Sequence, residues 1–221
     1  ELTSEDVIAK VNAAYDHAAT GNVGKAVSLI ENDESLSDSR KWIMRLVLLE
    51  RAGIRDEVSR ILDASGEIIA KLKSEHLLGV ARIAGGVDRD DFAQDLVERA
   101  LPDLVAPHDL ENALQIALNM RRQALIGRVR ERLRELHPGS QLLRSVDGRG
   151  AAREGNYTNA AELLLGSADA KEREAGEVFR LLAGAIASPG FADPVELGRE
   201  LAAKMPDWMA DIQREIMRSL E

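Results

Sequence analysis

Along this chain a small or branched apolar residue is repeatedly followed, four positions later, by a larger apolar one, a spacing that stacks both side chains on one helix face. Six such pairs stand out: Ala26 with Ile30, Val58 with Leu62, Ala93 with Val97, Val129 with Leu133, Ala160 with Leu164 and Leu197 with Leu201. Their first members lie 32, 35, 36, 31 and 37 residues apart. A mean step of about 34 residues is the period of a helix-turn-helix repeat. A small residue precedes every pair: Gly21, Gly53, Ala124 and Gly155 stand five positions before it, Gly86 and Gly190 seven before. Glycine permits the left-handed backbone that ends one helix and lets another begin. The pattern therefore predicts a tight turn at each of these sites, lengthened by two residues in the third and sixth hairpins.

The same periodicity predicts an all-α chain of six hairpins, at residues 4–32, 39–65, 67–101, 109–137, 141–166 and 170–204. Ser4 is placed to cap the first helix, whose apolar stripe is Val7, Val11, Ala14 and Ala18. Residues 67–84 read as one long, bent first helix, and Asn32 to Ser35 as a polar connector. Trp208, Ile212, Ile216 and Leu220 fall at four-residue steps and predict a C-terminal helix, 206–221, that caps the last repeat.

The second unit carries Trp42, Leu46, Leu49, Gly53, Val58 and Leu62 at the places where tetratricopeptide repeats have an aromatic, large apolar residues, a turn glycine and a packed pair. The fifth has Gly148, Gly155, Ala160 and Leu164, and the fourth Ala117, Met120, Val129 and Leu133. On these residues the chain resembles the tetratricopeptide repeat family in degenerate form, with Arg45 and Asp147 standing where leucine is usual. The resemblance implies a single domain over 1–221, a right-handed α-solenoid of about six repeats whose first helices line a concave groove.

Composition narrows the choice of chemistry. Hydrophobic residues make up 45% of the chain but aromatics only 3%, which suits a helix-on-helix interior of short side chains. The net charge of −9 argues against a surface that tracks nucleic acid or anionic lipid throughout. Cysteine is absent, which removes disulfides, thiolate metal sites and a cysteine nucleophile. That fits a cytoplasmic protein, and a bacterial periplasmic one if a signal peptide was removed. The chain starts at Glu1 rather than Met, as an excised fragment or a processed product would. No apolar run approaches the roughly 18 residues needed to span a membrane.

Several stretches resemble chemical motifs and fail on their spacing. Counted from Asp88, the sixth and twelfth places of a calcium loop hold Ala93 and Arg99 rather than Gly and Glu, so Asp88 to Asp91 reads as a helix start. His17, His76, His108 and His137 are scattered and form no metal-binding pair. Gly148-Arg149-Gly150 has no strand before it and Arg153 at the third glycine place, which excludes a dinucleotide fingerprint. Asn156-Tyr157-Thr158 is formally a glycosylation sequon, but its residues already belong to a repeat turn. No nucleophile, base and electrophile can be assembled, so neither an enzyme nor a cofactor or metal is expected.

One charged stretch departs from the rest. Residues 121–153 contain nine arginines and three acids, whereas the remainder carries 20 basic and 35 acidic residues. A solvated face is the plain reading. If the family resemblance holds, Arg121, Arg122, Arg149 and Arg153 look into the groove with Arg180 nearby, and their guanidinium groups could hold carboxylates in bidentate fashion. The expectation is a non-enzymatic scaffold that binds an acidic peptide or protein surface there. The alternative is a targeting or regulatory arm of a larger bacterial enzyme or of a secretion or polysaccharide-export component. Binding of an RNA backbone fits less well, because base-stacking aromatics are nearly missing.

Overall fold

The computed structural model describes residues 4–187, and these form twelve α-helices and no strand. Two helices open the described residues, α1 (Ser4–Ala19) and α2 (Val23–Glu31), followed by α3 (Asp38–Arg51) and α4 (Arg55–Ala64). Then come α5 (Gly66–Ala70), α6 (Ser74–Gly86) and α7 (Asp90–Ala100), a 3-10 turn at Leu101–Asp103, α8 (Pro107–Asn119) and α9 (Gln123–Leu136). The last three are α10 (Gln141–Arg153), α11 (Tyr157–Leu165) and α12 (Ala170–Ala187). The chain divides into two compact units between Arg132 and Leu133. The expected second helix of the sixth hairpin and the capping helix 206–221 lie outside the described residues, as do Gly190 and the Leu197–Leu201 pair.

One turn recurs five times with the same backbone hydrogen bonds. Gly21, Gly53, Asp88, Arg121 and Gly155 have φ of 82, 74, 62, 56 and 74°, at sequence steps of 32, 35, 33 and 34 residues. Each donates its amide to the carbonyl three residues back, as Gly21 does to Ala18 (3.0 Å) and Arg121 to Leu118 (3.0 Å). The next amide reaches five residues back, Asn22 to His17 (2.8 Å) and Arg122 to Ala117 (3.2 Å), which satisfies the carbonyls at the end of the first helix. The residue after the left-handed one then accepts the first bond of the next helix, from Ala26, Val58, Ala93, Ile126 and Ala160.

This corrects two expected turns. The third hairpin turns at Asp88, not at Gly86 with a two-residue insertion, and the fourth at Arg121 rather than Ala124. In register, the buried residue that opens the fourth second helix is Ile126 instead of Val129, although both are buried. The reading went astray because it required a small residue, whereas aspartate tolerates this conformation and arginine bears a strain of roughly 1–2 kcal/mol. The expected long helix at 67–84 is likewise two helices, α5 and α6, with a break before Ser74. Asp33 in the first connector is buried, and its carboxylate accepts from the Ser35 amide at 2.9 Å.

In the first unit α1 packs on α2 and α3, α3 on α4 and α6, and α6 on α7 and α8. Leu46, Leu48, Val80, Ile83, Leu96, Leu110 and Leu114 are fully shielded from solvent there. Burying each such side chain stabilises by about 1.5–3 kcal/mol. Trp42 is half-buried and donates from Nε1 to Ser65 Oγ at 3.0 Å, so its polar edge is satisfied. In the second unit α11 packs on α10 and α12 around Ala160, Leu164, Val178 and Phe179, with Tyr157 stacked on Phe179 at 5.8 Å. A side chain at Gly148 would bring its Cβ to 2.7 Å from Leu164 Cγ, so α10 approaches α11 closely only because that position is glycine.

Candidate functional site

Helix α8 has two faces of opposite chemistry. Pro107 at its start and Asp109 in its first turn favour initiation there. Leu110, Ala113, Leu114 and Ala117 bury one face, and Asn112, Gln115 and Asn119 stand on the other, exposed to solvent. Their spacing of three and four residues aligns the three amides in a row along the helix. Gln115 Nε2 donates to Asn119 Oδ1 at 2.9 Å, which fixes part of that row. Helix α6 does the same with Glu75, Gly79, Arg82 and Gly86 opposite its buried Leu77, Val80, Ala81 and Ala84.

Between these faces runs an open cleft of ≈ 380 Å³, walled by Glu75, Gly79 and Arg82 on one side and by Asp109 and the amide row on the other. Leu78 and Ile116 form its floor. A second hollow of ≈ 310 Å³ shares Arg82, Ile116 and Asn119 with the first and extends it to Glu50 in the last turn of α3, Asp90 and Met120. The two therefore make one groove across the first helices of three successive hairpins. Arg82 lies 4.0 Å from Glu50, a loose pair, and Asp109 meets His108 at 3.2 Å.

The arginines singled out from the sequence fall in both units. Arg121 is the left-handed turn residue itself and is exposed, and beside it Arg122 pairs with Asp91 at 2.5 Å. These two belong to the first unit. In the second unit Arg149 pairs with Glu172, a buried carboxylate that also accepts from Ser145 Oγ at 3.0 Å. Arg180 pairs with Glu177 at 2.5 Å one helical turn away, and Arg153 is exposed in the last turn of α10. The side chains of Arg121 and Arg153 have no hydrogen-bond or ion-pair partner among the described residues.

The rest of the arginine-rich stretch is engaged in the same manner. Arg128 pairs with Glu98, Arg134 with Asp147 at 2.7 Å, and Arg144 donates to the Gly166 carbonyl at 2.6 Å. Arg130 and Arg132 also have partners. Two further pairs of the first unit join consecutive hairpins, Arg55 with Asp88 at 2.9 Å and Arg89 with Asp63 at 2.6 Å. Hydrogen bonding from Arg89 holds the Asp63 carboxyl below its usual range, and in turn Asp63 raises Arg89. Glu98 is lowered as well, first by the hydrogen bond from Gln94 and then by the one from Arg128.

Family models, curated proteins and solved structures were all compared with the chain. None matches. The groove itself thus has to carry the functional argument. Sequence reasoning missed it, although one signal was available: Asn112, Gln115 and Asn119 at helical spacing, opposite an apolar face. Among the described residues no helix is long and apolar enough to cross a membrane.

Proposed function

We propose that this chain is a binding module of tetratricopeptide-like hairpins that holds an extended segment of another protein along the exposed faces of its first helices. It acts by binding rather than by catalysis. The observation that carries this reading is the continuous groove over α3, α6 and α8, with an apolar floor and a row of three exposed amides. Each amide offers both a donor and an acceptor, which is what the alternating N–H and C=O groups of an extended backbone require. The succession of packed first helices, α1 on α3, α3 on α6 and α6 on α8, supports a solenoid arrangement in the first unit. A surface built in this way is ordered before the ligand arrives, so little conformational entropy is lost by the module on binding.

Site-specific photo-crosslinking tests the reading. A photoreactive residue at Gln115, on the groove, is expected to join the chain to one defined segment of a partner protein in cells of the source organism. The same residue at Arg60, on the exposed face of α4, is expected to give no such product. Equal products from both positions, or none from Gln115, would count against a groove-bound partner.

A further inference from the structure

The charge and length of the groove describe its occupant. Resting on the reading of the groove as a binding surface for a partner segment, we infer that the segment is cationic and extended, with two lysine or arginine side chains four or five residues apart. Four carboxylates line the groove, Glu50, Glu75, Asp90 and Asp109, against the single guanidinium of Arg82. Glu75, Asp90 and Asp109 each stand in the first turn of a helix, where the helix N-terminus offsets about half a charge. Even so discounted, the groove keeps a charge of about −1.5. The arginine-rich stretch adds no lining residue to the groove, and within the same unit Arg122 is held by Asp91 and Arg128 by Glu98.

The carboxylates are not spread evenly. Glu75 and Asp109 sit at the N-terminal ends of α6 and α8, whereas Glu50 and Asp90 lie at the opposite end, near Gly86 and Asn119. From Glu75 to Gly86 the helix rises about 16 Å. An extended chain covers that distance in four or five residues at about 3.3–3.6 Å each. Two cationic side chains so spaced would each meet a pair of carboxylates, while Asn112, Gln115 and Asn119 hold the backbone between them. Arg82, between the two ends and only loosely tied to Glu50, is free to donate to a backbone carbonyl of the segment. Leu78 and Ile116 leave room for small apolar side chains beneath.

Selection from a displayed library of random peptides of about ten residues, panned on the full chain at about 50 mM NaCl, tests this. Peptides with two Lys or Arg at a separation of four or five are expected to be enriched. A synthetic peptide of that consensus should bind roughly tenfold more weakly to the Glu75→Lys/Asp109→Lys variant. It should also lose about tenfold in affinity between about 50 and about 300 mM NaCl, as contacts between exposed charges do. Gly79→Leu serves as a steric variant: nothing lies within 4 Å of a Cβ at Gly79, so the new side chain projects into the groove. Leucine also has the better helix propensity, so this variant should stay folded, as circular dichroism would verify, even if the charge reversal does not. It should abolish binding of every enriched peptide. If the enriched peptides are acidic or uncharged and are lost in Gly79→Leu, the cationic assignment falls while the groove remains a binding surface. If nothing is enriched, or binding is the same in both variants as in the parent, the assignment and the groove reading fall together.

Discussion

Arg121 and Asp88 stand at turn positions that Gly21, Gly53 and Gly155 occupy elsewhere, and the backbone hydrogen bonds are the same in all five. The geometry of the turn is thus set by the helix ends and not by the residue. What the residue changes is the cost. A left-handed conformation strains a side-chain-bearing residue by roughly 1–2 kcal/mol, against which glycine loses somewhat more backbone entropy on folding. Arg121→Gly is therefore expected to stabilise the chain by about 0.5–1 kcal/mol, since the Arg121 side chain has no partner among the described residues to lose. Gly53→Ala should destabilise by about 1 kcal/mol, although nothing lies within 4 Å of a Cβ there. Urea unfolding midpoints of the two variants check both signs. An unchanged midpoint for Arg121→Gly would mean that its backbone is not strained in solution.

At the level of elements, the helices and their buried pairs were legible because burial leaves a periodic trace: Ala26, Ile30, Val58, Leu62, Ala93, Val97, Ala160 and Leu164 are all buried as their spacing predicts. The break between α5 and α6 left no such trace, since Ile68, Leu72, Val80 and Ile83 keep a helical rhythm across it. The contacts that join hairpins were not legible either. Arg55 with Asp88, Arg89 with Asp63 and Arg122 with Asp91 lie 33, 26 and 31 residues apart, about one repeat, and a local charge count is blind at that range. Two contacts of this kind, Arg89 with Asp63 and Arg128 with Glu98, make stability depend on acid. The carboxyls of Asp63 and Glu98 are lowered in the folded state, so the folded chain holds their charged forms more tightly than the unfolded chain does. Their contribution is complete above the ordinary carboxylate range and is lost as pH falls through the lowered values. The parent chain should accordingly lose more melting temperature between about pH 5 and about pH 3 than the Asp63→Asn/Glu98→Gln variant. The share of Glu98 is under about 1 kcal/mol, because its pair with Arg128 is partly open to solvent. Parallel loss in the two proteins would show that other carboxylates govern acid unfolding.

The charge of the whole molecule follows from the same contacts. Residues 1–132 carry 18 Lys and Arg against 23 Asp and Glu, and residues 133–221 carry 11 against 15, so both units are acidic although the basic stretch straddles their boundary. Seven of the nine arginines in 121–153 have partners, and four of those partners are carboxylates, Asp91, Glu98, Asp147 and Glu172, which offset part of the local excess at short range. An anion that tracks basic surfaces would then meet two acidic units with Arg121 and Arg153 as the exposed, unpartnered members of that stretch. Polyanion binding depends on several phosphates or sulfates being neutralised at once, and each lost contact flattens its dependence on salt. Heparin is therefore expected not to retain the chain at about 0.15 M NaCl, an ionic strength at which the screening length is about 8 Å. Substituting Arg121→Glu and Arg153→Glu should leave elution unchanged. Retention that vanishes in that variant would instead mean that the arginines are available to acidic ligands, as the sequence alone suggested.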